Sequence, residues 1–129
     1  MNKLTLLTVV VFLTACSTSS HILTGEKRPK IKPSQVTIYT KPPSTYFEEV
    51  AIISSSSKNS WTATDQGKLD KVVERLKEEA ASLGANGVII QNLGEQSGMM
   101  AGAGSSAGAM VLIPTNHKYG QGMAIYVGR

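Results

Sequence analysis

An α+β domain, one amphipathic helix packed on a small, mostly antiparallel sheet in the order ββαββ, follows from three features of this 129-residue sequence. Apolar residues recur at helical spacing between Asp65 and Leu83. Two short runs rich in β-branched and aromatic residues precede that stretch, and further apolar runs of strand length follow it. A single helix among strands that far outnumber it has to bury its stripe on the sheet they form.

Residues 35–40 alternate apolar and polar side chains around Val36, Ile38 and Tyr39 and predict a first strand, ended by Pro42 and Pro43, neither of which can donate to a ladder. Residues 47–54 predict a second, with Glu48 and Glu49 at its edge and an apolar centre. The helix then presents Leu69, Val72, Val73, Leu76, Ala80 and Leu83 as one stripe. Thr62 or Thr64 can cap its start, and Gly84 stands where a helix commonly stops. Arg75 and Glu79 are spaced to pair on the outer face. Residues 87–93 read as a third strand, apolar enough to lie within the sheet. Residues 110–113 read as a fourth, ended by Pro114, and residues 123–127 as a fifth.

The composition, 41% hydrophobic and 17% charged with 12 Gly and one Cys, excludes collagen, coiled coil, disulfide scaffolds and wholesale disorder. Ten of the first fifteen residues are apolar. Lys3 precedes an uncharged run of ten, residues 4–13. As a helix that run rises about 15 Å, half the roughly 30 Å hydrocarbon core, which fits a cleaved signal peptide rather than a membrane span.

Leu13-Thr14-Ala15-Cys16 resembles a bacterial lipobox. Leu13, Thr14 and Ala15 are the expected signal-peptidase recognition residues, Ala15 being small enough for the cleavage subsite. Cys16 supplies the nucleophilic thiol for a diacylglyceryl thioether, and its freed α-amino group can take an N-acyl chain. At about 0.8 kcal/mol per buried CH₂, two or three chains make the anchor effectively permanent. The resemblance implies retention in the inner membrane when Asp follows the cysteine. Ser17 follows here, so the expectation is the outer membrane, with the periplasmic side favoured over the cell surface.

Three segments are therefore expected: a signal peptide over 1–15, the lipidated Cys16 with a flexible basic tether over 16–33, and an α+β domain over 34–129 with a Gly/Ala/Ser-rich loop at 94–109. Lys27, Arg28, Lys30 and Lys32 stand against Glu26 in the tether. They read either as a solvated linker or as contacts to an anionic membrane. From residue 33 onward eight basic residues balance eight acidic ones, so the domain lacks the positive excess that a nucleic-acid face requires.

Residues 76–90, running from the helix through Leu83-Gly84-Ala85-Asn86-Gly87 into a strand, are similar to a recurring segment of small envelope lipoproteins that includes the RcsF-like stress-sensor group. Val36, Ile38, Tyr39, Pro42 and Pro43 are similar to the opening strand of those domains. The likeness covers roughly residues 34–93 and implies the fold. The stress sensor relies on disulfides in its domain, and Cys16 is this chain's one cysteine, so neither that activity nor any functional residue is carried over.

Residues 101–109 are all Gly, Ala or Ser, and Gln96 to Asn116 is a run of 21 residues without a formal charge. Gly98, Gly102, Gly104 and Gly108 mark this stretch either as a mobile hairpin connection able to take part in interactions or, through two GxxxG pairs, as a membrane-inserting segment. A dinucleotide loop is disfavoured, since no helix start follows to hold a phosphate. His21 and His117 have no partner at metal-ligand spacing. No paired acid and base or Gly-x-Ser-x-Gly elbow is readable. Trp61 reads as a lid over the core or as a ligand platform.

The sequence thus predicts a non-enzymatic outer-membrane lipoprotein with no metal and no cofactor beyond its covalent lipid. Its domain would serve as a periplasmic interaction or assembly module for an envelope protein partner. The alternatives are a membrane-active or self-associating lipoprotein using residues 98–113, and a small-ligand-binding domain.

Overall fold

A computed structural model describes residues 19–58, 60, 62–103 and 110–128. Its helix, α1 (Asp65–Ser82), starts where the Thr64 hydroxyl accepts a hydrogen bond from the Gly67 N–H at 3.1 Å. It stops at Gly84, whose φ of +74° lets the Gly84 and Ala85 N–H groups turn back onto the carbonyls of Ala81 and Ala80, both at 3.0 Å. A side chain at Gly84 would also run into Arg28 and Pro29.

The strands are β1 (Ser19–Leu23), β2 (Thr37–Tyr39), β3 (Phe47–Ser56), β4 (Gly87–Ala103) and β5 (Met110–Val127). They form one sheet in the order β1-β3-β5-β4-β2. Only β2 runs parallel to its neighbour, β4; the other pairs are antiparallel. The α+β architecture and mostly antiparallel sheet match the sequence reading.

One face of the sheet is the core. Val72, Leu76, Ala80 and Ala81 of α1 and Leu83 just beyond it are buried together with Ala51, Ile53, Val88 and Ala124 from the strands. At Gly120 the helix comes so close that an added Cβ would lie 2.6 Å from Val72 Cγ1. Ser55, buried on the same face, donates to the Val72 carbonyl at 2.8 Å.

Four expectations need correction. The order has a strand more than ββαββ, because Ser19–Leu23, expected in a flexible tether, pairs along β3 from Ser19↔Ser55 to Leu23↔Ala51. The rest of that tether is also bound to the domain: the Arg28 and Ile31 N–H groups donate to the Leu83 and Ala81 carbonyls at 2.9 and 3.0 Å. The helix end leaves the Leu83 carbonyl to Arg28, and the Ala81 carbonyl, already held by Gly84, takes Ile31 as a second donor.

The strands expected at 110–113 and 123–127 are one continuous β5, which passes through Pro114 because β3 ends at Ser56↔Tyr119 and, among the described residues, nothing pairs with that side of β5 beyond Lys118. The loop expected at 94–109 is strand as far as Ala103, its register with β5 continuing to Ala103↔Met110. Arg75 does not pair with Glu79. It donates to the Lys58 carbonyl at 2.7 Å and to that of Ser56, while Glu79 accepts from Ser19 at 2.7 Å and pairs with His21.

Candidate functional site

No helix covers the second face of the sheet among the described residues, and the register lays an apolar row across it. Ile22, Ile52, Met123, Ile89 and Tyr39 stand side by side on all five strands. Ile22 is 68% exposed, and the other four are partly buried. The next row toward Ser56 is polar: Ser20, Ser54, Gln121 and Asn92, with the Ser20 and Ser54 hydroxyls sharing a hydrogen bond of 2.8 Å. The open face thus carries a ridge of apolar side chains beside a polar row.

A second feature lies at one end of the sheet. Beyond Ser56↔Tyr119 only β4 and β5 continue, as a two-stranded arm. Its foot is ringed by charge. Lys118 Nζ lies 2.6 Å from Glu95 and 3.9 Å from Asp65, and Lys68 donates to the Asn116 carbonyl at 3.0 Å. The hydrogen bond to Glu95, aided by both carboxylates' negative charge and opposed by some desolvation, holds the Lys118 ammonium above the ordinary lysine value of 10.5. From Gln96 to Ala103 the arm carries no charge. Gly98 pairs with Thr115 and Gly102 with Val111, so the two described glycines of the expected interaction loop are strand residues.

The basic residues occupy the opposite end. The Arg28 guanidinium sits 3.8 Å from the centre of the Tyr126 ring and pairs with Glu48, while its Nε is buried without a hydrogen-bond partner. Lys27, Lys30 and Lys32 are exposed beside it in sequence. Glu48 and Ser55, the neighbour of Ser19, are seven residue steps apart along β3, about 24 Å at roughly 3.4 Å per residue. Arg28 is committed to the fold through Glu48 and Tyr126, while Lys27, Lys30 and Lys32 keep exposed side chains.

Asn86, within the segment similar to envelope lipoproteins, serves the fold. Its amide donates to the Val127 carbonyl at 2.9 Å and accepts from the Val127 N–H at 2.7 Å, prolonging the β4–β5 ladder beyond Gly87↔Ile125. Among the described residues no three His, Cys, Asp or Glu side chains come together to hold a metal, and no helix is long and apolar enough to cross a membrane. Leu13, Thr14, Ala15, Cys16, Trp61, Gly104 and Gly108 lie outside the described residues.

The sequence reading missed both the open-face row and the placing of Ser19 at the arm's end of the sheet. Ile22 sits in a stretch, Ser19–Leu23, that reads as linker, and only its pairing with β3 reveals the row.

No protein-family model and no curated protein matches the sequence. Among solved structures, the chain is similar to the crystal structure of a Francisella virulence factor, FvfA, at 14% identity and a TM-score of 0.47, over 81% of this chain and 94% of that one.

Proposed function

We propose that this protein is a bacterial outer-membrane lipoprotein, held by diacylglyceryl and N-acyl chains on Cys16, whose domain is a non-enzymatic docking module for an envelope protein in the periplasm. The observation that carries this reading is the apolar row Ile22–Ile52–Met123–Ile89–Tyr39 on the helix-free face, with Ile22 68% exposed. The lipobox-like segment ending at Cys16 supports the location. The partner contributes an apolar surface that covers the row and polar groups that meet Ser20, Ser54, Gln121 and Asn92.

Photo-crosslinking in intact cells tests it. A photoreactive residue in place of Ile22 is expected to give one discrete adduct with an envelope protein, and the same residue in place of Glu78 on the outer face of α1 none. Equal or absent adducts at the two positions count against the docking surface. Labelling with a palmitate analogue, present in wild type and lost in Cys16→Ala, checks the anchor separately.

A further inference from the structure

We propose that the uncharged arm, residues 96–103 and 110–116, enters the headgroup–acyl boundary of the same leaflet that holds the Cys16 lipid. This inference rests on the lipid-anchor reading above. Its basis is the juxtaposition of Ser19 and the foot of the arm. β1 runs antiparallel to β3, so Ser19, the start of β1, lies beside Ser55 near the end of β3. One residue further along β3, Ser56 faces Tyr119, and from that point β4 and β5 leave as the arm. Ser19, three residues after Cys16, and the foot of the arm therefore lie at the same end of the sheet.

The lengths then decide what the arm meets. From Ser19 back to Cys16 is three residues, at most about 10 Å of chain. The arm continues past Gln96↔His117 for seven residue pairs, Ser97↔Asn116 to Ala103↔Met110, about 24 Å at roughly 3.4 Å per residue. With β1 docked, the arm outreaches the anchor and is brought against the leaflet. Docking of β1 is secured by its pairing with β3 and by Glu79, which takes the Ser19 hydroxyl and pairs with His21.

The residue types fit that destination. The charges stop at the foot, with Glu95, Lys118, Asp65 and Lys68. Beyond them the register sets Met100 opposite Ile113, Ala101 opposite Leu112, Gly102 opposite Val111 and Ala103 opposite Met110. A charge placed among these would be costly in lipid, and none is present.

Depth follows from the backbone. β2 accompanies β4 only to Ile89, and β3 ends opposite Tyr119, so among the described residues the outer edges of both arm strands are without strand partners. Hydrocarbon does not tolerate unpaired N–H and C=O groups, whereas water and headgroups at the boundary satisfy them. The arm therefore settles at the boundary and does not cross.

The test uses the acylated full-length protein in vesicles of phosphatidylethanolamine and phosphatidylglycerol. With Cys16 blocked by lipid, Met100→Cys offers one thiol for an environment-sensitive dye, and Lys30→Cys does the same at the far end of the sheet. The dye at position 100 is expected to shift to the blue and to lose at least half its emission to lipids carrying a nitroxide high on the acyl chain, and less to a nitroxide near the bilayer centre. The dye at position 30 is expected to do neither. Adding Ala101→Lys should reverse the quenching at position 100 without changing the unfolding temperature.

An unquenched dye at position 100 on protein that floats with the vesicles overturns the inference and leaves the anchor standing. A blue shift without nitroxide quenching assigns the arm to another protein copy and overturns it as well. A mass showing no acyl chains on Cys16 removes the anchor reading and this inference with it.

Discussion

Lys118 reaches across from β5 to Glu95 of β4, its Nζ 2.6 Å from the carboxylate, with Asp65 at the start of α1 3.9 Å away. One side chain thus ties the foot of the arm to the first turn of the helix. Because the folded state holds the Lys118 ammonium above the ordinary value of 10.5, the pair stabilises the fold fully below that pH. The contribution is lost as pH rises through the higher folded value, where the folded lysine also gives up its proton. Lys118→Met is therefore expected to lower the unfolding temperature at neutral pH, with the gap to wild type closing above pH 10.5. Thermal unfolding followed by circular dichroism across that range checks it, and a gap independent of pH contradicts it.

Asn86 makes two hydrogen bonds to one residue, donating to the Val127 carbonyl and accepting from its N–H. Asn86→Ala leaves both backbone groups of Val127 without that partner, at about 1–3 kcal/mol. Urea unfolding should show a loss in that range with an unchanged slope. A neutral result would mean that water replaces the amide at no cost.

Gly120 lies under α1 with no room for a methyl group, 2.6 Å separating an added Cβ from Val72 Cγ1 and 3.0 Å from Leu93 Cδ2. Gly120→Ala must lift the helix or push its side chains off their rotamers, and overpacking of this kind costs about 1–3 kcal/mol. The expected result is a lower urea midpoint, with hydrogen exchange faster in α1 and β5 than in β2. Unchanged stability would show that the helix–sheet spacing gives way freely.

Elements whose signals are local were readable from the sequence. α1 has its stripe at Val72, Leu76 and Ala80, its cap at Thr64 and its stop at Gly84 within one continuous stretch. β1 has none of these. Ser19-Ser20-His21-Ile22-Leu23 is a strand because β3 offers a free edge some thirty residues later, and because Glu79 receives Ser19 and His21. Gly98, Ala101 and Gly102 have poor strand propensity, yet the register set by residues 87–95 with β5 carries pairing through them. Pro114 ends a strand only where its missing N–H is needed, and beyond Lys118, which Ser57 still holds, β5 has no neighbour on the β3 side among the described residues. The open-face row was invisible for the same reason, since its five members come from five strands and meet only through the sheet order.

Glu79 holds β1 against the helix through two side chains, and its own side chain is 15% exposed. Charge-assisted hydrogen bonds of this kind contribute roughly 1.5–3 kcal/mol each when well shielded. Glu79→Ala should therefore speed amide exchange in Ser19–Leu23 by roughly tenfold or more, about 1.4 kcal/mol of local opening, while α1 keeps its protection. Equal acceleration in α1 would mean that β1 opens only with the whole domain.

Ile22 separates binding from stability. At 68% exposure it contributes little to the fold, and surface substitutions away from caps and cores usually stay within about ±0.5 kcal/mol. It also stands at the edge of the apolar row, beside Ile52, where a partner would cover it. Ile22→Lys is therefore expected to leave the unfolding temperature near that of wild type and to abolish the adduct formed by a photoreactive residue placed at Met123 in the same row. Ile52→Lys, on a partly buried neighbour, should weaken both. Adduct formation that survives Ile22→Lys in a folded protein would move the docking surface off this face, because no partner that desolvates the row can accommodate an unpaired ammonium at its rim without loss.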